Sequence, residues 1–174
     1  MKTIVLLSAF LLIIPDINAQ KLEISVNARG GGTIVDVAEA MGYVMEDWNT
    51  WCYGGYIQGL YSPNNYVSFG IDLGYQQLYY YEYRNYYGYY NWGNIGTFHV
   101  GPVLKLEAFN LYGEGGVHLH IFYNGVVPGI MLAGGYKIPV SDRLSIPLGL
   151  RGDVIFGSAT PIAATLILGL SYKI

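Results

Sequence analysis

The sequence has little charge, a single cysteine and no long apolar run in its body, and each shortage excludes a class of protein. Charged residues make up 12% of the 174 residues, which is about half the usual share of a soluble domain. Cys52 has no second cysteine with which to form an intrachain disulfide. The body of the chain lacks the run of about 18 apolar residues that a membrane-spanning helix needs, so the pattern excludes such helices.

The apolar residues are nevertheless abundant. Hydrophobic residues account for 52% of the chain, aromatic residues for 16%, and there are 24 glycines. The net charge is only −3 and no basic block is present, which argues against a nucleic-acid partner. A chain this apolar, without apolar runs, must distribute its hydrophobicity in another pattern.

The N-terminus has the pattern of an export signal. Lys2 precedes the largely apolar stretch 4–14, and the breaker Pro15 and a small residue, Ala19, follow. The apolar stretch is too short to span a bilayer as a helix. We therefore expect residues 1–19 to be a signal peptide and residues 20–174 to be the mature domain.

From Lys21 onward the apolar residues alternate with polar or small ones, which indicates β-strands. In the clearest run, Ile162, Ala164, Leu166, Leu168 and Leu170 all have the same parity. Many segments have ten residues or more, enough for a tilted strand to cross a bilayer. The pattern predicts eight strands, with approximate limits 21–31, 51–61, 66–80, 95–106, 110–123, 129–138, 143–156 and 162–174.

The connections between these segments alternate in length. Turn residues mark short connections at 62–65, 107–109 and 139–142, whereas 32–50 and 81–94 are predicted as longer loops. Short turns at one end, long loops at the other and an even number of strands are typical of bacterial transmembrane barrels. The predicted fold is all-β: an eight-stranded antiparallel up-and-down transmembrane β-barrel.

The two faces of the strands predict which side meets lipid. The face opposite the Leu, Ile and Val residues carries many glycines and charges of both signs, which can pair with one another inside a narrow barrel. An Arg or Lys at the lipid midplane would cost about 2–4 kcal/mol, so we expect the charged face to point inward. Its predicted members are Asp72, Lys105, Glu114, Lys137, Arg151, Asp153 and Lys173.

Three stretches resemble the outer-membrane β-barrel domain family of Gram-negative bacteria. They are 134–144, with its Val-Ser-Asp-Arg turn, then 149–153, and the closing strand 168–174. The resemblance covers roughly residues 20–174 and implies a small eight-stranded barrel in the outer membrane. The family has no common catalytic residues, so the resemblance implies none here.

All three histidines have the inward parity and lie on two adjacent predicted strands. With the intervening turn centred near Ala108–Phe109, His99 lies opposite His118, with His120 diagonal and Glu114 farther along. Three imidazoles and a carboxylate can bind Zn²⁺, but histidines also serve as members of polar interior networks. The pattern predicts no cofactor, and a metal at these histidines stays a hypothesis.

The segment 79–92 holds eight tyrosines and a tryptophan in a predicted outer loop. Tyrosine and tryptophan provide large contact areas at low entropic cost and are enriched in binding surfaces. The alternative is a β-hairpin that projects above the membrane with an aromatic belt at its base. The candidate surface-interaction residues are Tyr83, Tyr86, Tyr87, Tyr89, Tyr90 and Trp92.

No nucleophile elbow, phosphate loop or paired-cysteine motif is present. Ser158 and Thr160 lie near a predicted outer loop without a histidine beside them, so we expect no enzymatic activity. The expected role is structural or adhesion-like, with outer-membrane lipid and an unidentified extracellular ligand as partners. A narrow pore for ions or small solutes is the first alternative, and a lipid-modifying enzyme the second.

Overall fold

The computed structural model describes residues 21–36, 50–84, 89–157 and 160–174. Within them the chain forms eight strands, and β8 pairs with β1 to close a barrel. All pairings are antiparallel, so the predicted eight-stranded up-and-down fold is confirmed. The strands are Lys21–Asp36 (β1), Thr50–Ser62 (β2), Val67–Arg84 (β3), Tyr89–Ala108 (β4), Leu111–Phe122 (β5), Gly125–Pro139 (β6), Leu144–Ile155 (β7) and Thr160–Lys173 (β8).

Residues 1–19, the predicted signal peptide, lie outside the described part of the chain. Among the described residues, no helix is long and apolar enough to cross a membrane. We call the barrel end that carries the start of β1 and the end of β8 the terminal end, and the opposite end the loop end.

Several predicted strand limits were wrong, although most predicted strands agree closely with those in the structure. β1 continues past the predicted limit of 31 to Asp36, and β6 begins at Gly125 instead of 129. The glycines at 30–32 lie inside β1, where a Cβ on Gly31 would come within 2.1 Å of the Ala164 carbonyl oxygen on β8. Glycine therefore permits close strand approach here and does not end the strand.

The predicted loop 81–94 was also wrong. β3 continues to Arg84 and β4 begins at Tyr89, and these two residues pair with each other. Tyrosine and tryptophan favour strands, which explains why the segment extends the ladder. Residues 79–84 and 89–94 are therefore paired as a β-hairpin, the structure that the sequence offered as the alternative to a loop.

The turn between β4 and β5 lies one residue later than predicted. Phe109 and Asn110 have φ angles of 53° and 66°, and positive φ at both central residues is the requirement of a type I′ hairpin turn. In an antiparallel hairpin, moving the turn by one residue moves every cross-strand partner by two. His99 consequently pairs with His120, not with His118 as predicted.

The two faces of the barrel have the predicted polarity. Outward side chains of the strands include Ile71, Leu150 and Leu166, which are 60%, 64% and 68% exposed. The predicted inward charges Asp72, Arg151 and Asp153 are at most 1% exposed. An exterior this apolar is suited to the hydrocarbon of a lipid bilayer. The ionic groups pair with one another in the interior.

Candidate functional site

A network of buried charges crosses the middle of the barrel. Arg151 on β7 lies 2.8 Å from Asp72 on β3 and 2.9 Å from Asp153 on its own strand. Arg29 on β1 donates to Asp153 at 2.6 Å and to Gln76 at 2.9 Å. Taking these charges out of water is costly, and the mutual pairing with good hydrogen bonds offsets that cost. We call Arg29, Asp72, Gln76, His99, Arg151 and Asp153 the central network.

The three histidines lie together at one side of the central network, of which His99 is a member. His99 donates from Nε2 to Asp72 at 2.8 Å, and Arg151 lies 3.4 Å from Nδ1 of His118. The His99 ring centroid is 5.2 Å from that of His118 and 5.7 Å from that of His120. The prediction that all three point inward is confirmed, since each is 0% exposed.

The carboxylates beside the histidines are different from the one predicted. The oxygens close to the imidazoles belong to Asp72 and Asp153. Glu114 instead accepts a hydrogen bond from Gln58 at 2.9 Å and lies 3.6 Å from Lys105. Glu114 is four residues from His118 along β5, about 13 Å in an extended strand, whereas Asp72 and Asp153 come from β3 and β7, which the closed barrel brings beside the histidines.

Tyr56 on β2 lies against both arginines of the central network. The guanidinium of Arg151 lies over its ring at 4.5 Å from the centroid, and that of Arg29 lies at 6.0 Å. Arginine over an aromatic face gains about 2 kcal/mol or more when the pair is desolvated. The ring therefore stabilises the cationic side of the central network.

A second ionic group lies nearer the terminal end. Lys137 contacts Glu23 at 2.8 Å and Glu107 at 2.6 Å, and Lys105 contacts Glu23 at 3.0 Å. Lys173, which was predicted to point inward, reaches Glu107 at 3.4 Å, and its side chain is 35% exposed. Lys173 lies close to the end of its strand, where the barrel interior meets solvent.

Four of the buried polar residues that complete these networks were not among the predicted site residues. Glu23 and Arg29 have the inward parity of β1, opposite Leu22, Ile24 and Val26, so the alternation already carried the signal. Gln58 and Gln76 have the inward parity of their strands in the same way. All four are at most 4% exposed, and the missed residues are Glu23, Arg29, Gln58 and Gln76.

Apolar side chains occupy the interior on both sides of the central network. Cys52, Leu78, Ile155 and Ala163 form a buried cluster toward the loop end, with Phe122 and Val127 packed against it. Leu60, Val103 and Met131 form another toward the terminal end. The interior therefore consists of alternating apolar and ionic layers, as expected of a barrel only wide enough for side chains.

No family model and no curated protein sequence matches the chain, but solved structures match its fold. Neisserial surface protein A (NspA) superposes with a TM-score of 0.56 at 13% identity, covering 88% of this chain and 97% of NspA. The outer membrane protein OprG from Pseudomonas aeruginosa gives 0.58 at 10% identity, covering 90% and 96%. The fold is that of a small outer-membrane β-barrel protein. At these identities the likeness is one of fold.

In this outer-membrane fold four of the six candidate interaction residues, Tyr83, Tyr89, Tyr90 and Trp92, lie on one hairpin. The β3–β4 ladder pairs Tyr83 with Tyr90 and Trp92 with Tyr81, and its last described pair is Arg84 with Tyr89. Pairing of β3 with β2 runs only to Leu78, and pairing of β4 with β5 begins at Phe98, within the described residues. Tyr86 and Tyr87, also predicted as interaction residues, lie outside the described part of the chain. We call 79–84 with 89–94 the aromatic hairpin.

Proposed function

We propose that this protein is an adhesion-like surface-interaction protein, in which a closed outer-membrane barrel presents the aromatic hairpin to an extracellular partner. The observation that supports the proposal best is the length of β3 and β4, which have 18 and 20 residues. At about 3.3 Å per residue, the stretch 79–84 alone extends roughly 20 Å along its own axis. Membrane crossing does not require this additional length.

The orientation follows from the connections. The terminal end carries the turns 63–66, 109–110 and 140–143, whereas the loop end has the longer connection 37–49 as well as the two-residue turn 123–124. Bacterial outer-membrane barrels place their short turns in the periplasm and their longer connections outside. The aromatic hairpin is at the other end and would therefore face the outside of the cell. Export through a cleaved segment 1–19 belongs to the same proposal.

The composition of the hairpin supports a binding role. Residues 79–84 and 89–92 contain six tyrosines, including Tyr79, together with Trp92. Binding surfaces favour these residues because their large rings lose little conformational entropy on contact. Below the hairpin, Trp51 stacks on Tyr79 at 4.0 Å between ring centroids, with 9° between the planes. This stack anchors the base of the hairpin to β2.

The burial of the interior weighs against the alternative of a pore. Side chains that line a water-filled passage are exposed to it. Asp72, Asp153 and His99 are 0% exposed and Arg151 is 1% exposed, although they come from opposite walls. The buried layers fill the interior and make the barrel a rigid support for the aromatic hairpin. No enzymatic role is proposed.

The test removes the hairpin without changing the barrel. Residues 81–92 are replaced by Asn-Gly, which forms a two-residue type I′ turn between the paired residues Tyr80 and Gly93. A matched control keeps the hairpin length but replaces Tyr81, Tyr83, Tyr90 and Trp92 by threonine, which also favours strands. Bacteria that display each variant are assayed for binding to host cells and to glycan arrays.

We expect the full-length protein to confer binding and both variants to lose it, while a gel comparing boiled and unboiled samples shows the folded barrel in all three. If the threonine variant binds as well as the original, the aromatic side chains are not the binding surface. If no display strain binds any surface, the adhesion-like function is wrong.

A further inference from the structure

Two histidines in the barrel interior have ring nitrogens without hydrogen-bond partners in the described structure. They are Nε2 of His118 and both Nδ1 and Nε2 of His120, and both residues are 0% exposed. Buried polar atoms are almost always paired, so such groups require an explanation. His99, by contrast, is hydrogen-bonded to Asp72.

The two imidazoles lie next to the carboxylate of Asp153. Ligand atoms of His118, His120 and Asp153 all lie within 4.8 Å of one another. A second set with the same spacing, Asp72, His99 and His118, has its Asp72–His99 contact already occupied by a hydrogen bond. The first set is therefore the one in which both imidazoles have a nitrogen free for coordination, while its carboxylate is shared with Arg29 and Arg151.

We propose that His118, His120 and Asp153 bind a divalent transition-metal ion of the zinc type inside the barrel. Two imidazole nitrogens and one carboxylate oxygen are a ligand set that Zn²⁺ takes in proteins. Imidazole selects such ions over Mg²⁺ and Ca²⁺, which prefer oxygen ligands. Bond lengths of about 2.0–2.1 Å to nitrogen require the donor atoms to move closer, which the two imidazoles have to do by rotating.

The surrounding residues determine how strongly such a site binds. Arg29 and Arg151 both contact Asp153, so the ion competes with two guanidinium groups for this carboxylate. Asp72 and Asp153 balance these two arginines, and a dication adds positive charge to the network. The hydrogen bond from His99 to Asp72 holds the adjacent wall in place, in the way that outer partners orient metal ligands.

The location determines how the ion enters. The apolar cluster of Cys52, Leu78, Ile155 and Ala163 covers the network toward the loop end, and Leu60, Val103 and Met131 lie on the other side. We expect the ion to be captured while the barrel folds, before these layers close. The proposal is independent of the binding role of the aromatic hairpin.

The test refolds the full mature chain in detergent micelles with Zn²⁺, with Mg²⁺ or with chelator, and then removes free metal by gel filtration. Bound zinc is measured by elemental analysis, and bound Co²⁺ by its visible absorption, which reports the ligand geometry. His120→Gln removes one ligand and keeps a polar side chain of similar size. Ser25→Ala is the matched control, because Ser25 is a buried interior residue whose hydrogen bonds are to Gln58 and Asn27.

We expect the original protein and Ser25→Ala to retain one zinc per barrel, and His120→Gln to bind at least about tenfold more weakly. A gel comparing boiled and unboiled samples confirms that each variant is folded. Retention of no zinc by the folded original protein would overturn the proposal. Equal zinc retention by His120→Gln would overturn it as well, since the ion would then lie elsewhere.

Discussion

Asp72 joins three walls of the barrel through one carboxylate. It accepts hydrogen bonds from His99 on β4 and Arg151 on β7, each at 2.8 Å, and from Gln58 on β2 at 3.3 Å. The residue is 0% exposed, so water cannot replace any of these partners. Removing the Asp72 carboxylate would destabilise the fold mainly because Arg151 would remain buried with fewer anionic partners.

Replacing Asp72 by alanine should therefore lower the free energy of unfolding by about 3–5 kcal/mol, the usual cost of breaking a buried ion pair. The measurement is urea unfolding of the barrel reconstituted in lipid vesicles. The control is Asp142→Ala, a change in the exposed turn between β6 and β7, which should stay within about 0.5 kcal/mol of the original protein. Similar stabilities for the two variants would show that the central network does not stabilise the fold.

At the scale of the strands, close approach between neighbours depends on particular glycines. A Cβ on Gly70 of β3 would lie 1.9 Å from the carbonyl oxygen of Gly59 on β2, whereas a Cβ on Gly59 has nothing within 4 Å. The two residues are near one another in the ladder, but Gly70 has the inward parity and Gly59 the outward one. The backbone itself is the obstacle at Gly70, so no side-chain rotation can relieve the contact.

The substitution Gly70→Ala should thus destabilise the barrel by about 1–3 kcal/mol through overpacking. Gly59→Ala should be neutral or should stabilise by up to about 1 kcal/mol, because alanine has less freedom to lose on folding. Both are measured by unfolding in vesicles under the same conditions. A larger loss for Gly59→Ala than for Gly70→Ala would contradict the register between β2 and β3.

Alternation alone predicted the strands and their faces, because each side chain faces either hydrocarbon or the interior. It could not locate the turn between β4 and β5, since Phe109 is an unusual residue for a positive φ angle. That error of one residue moved the partner of His99 from His120 to His118. The sequence also could not distinguish a paired hairpin from a loop at 81–94, because tyrosines are common in both strands and exposed binding loops.

The partners inside the central network were beyond prediction for a different reason. Arg29 and Asp153 are 124 positions apart in sequence and lie on β1 and β7, which are not neighbours in the sheet. Their contact depends on the closure of the barrel between β1 and β8 and on the stagger of the strands. Parity shows that both side chains point inward, but it does not show at which height each one lies.

At the scale of the whole molecule, the distribution of charged and apolar side chains between core and exterior is inverted relative to a water-soluble protein. Its core contains ion pairs such as Arg151–Asp72 and Lys137–Glu23, and the described exterior exposes many large Leu, Ile, Val and aromatic side chains. In water this exterior would drive association, because exposed apolar area of this extent is rarely tolerated in a soluble monomer. In hydrocarbon, exposing the same apolar surface carries no free-energy penalty, and the paired charges of the interior have no contact with lipid.

The most direct test of this inverted arrangement compares refolding of residues 20–174 in plain buffer and in lipid vesicles. The folded fraction is measured by the mobility shift on boiling, and the association state by light scattering. Our account predicts folded monomers in vesicles and aggregated, unshifted chains in buffer. A folded, monodisperse monomer in buffer without detergent would contradict the outward-apolar orientation on which the account depends.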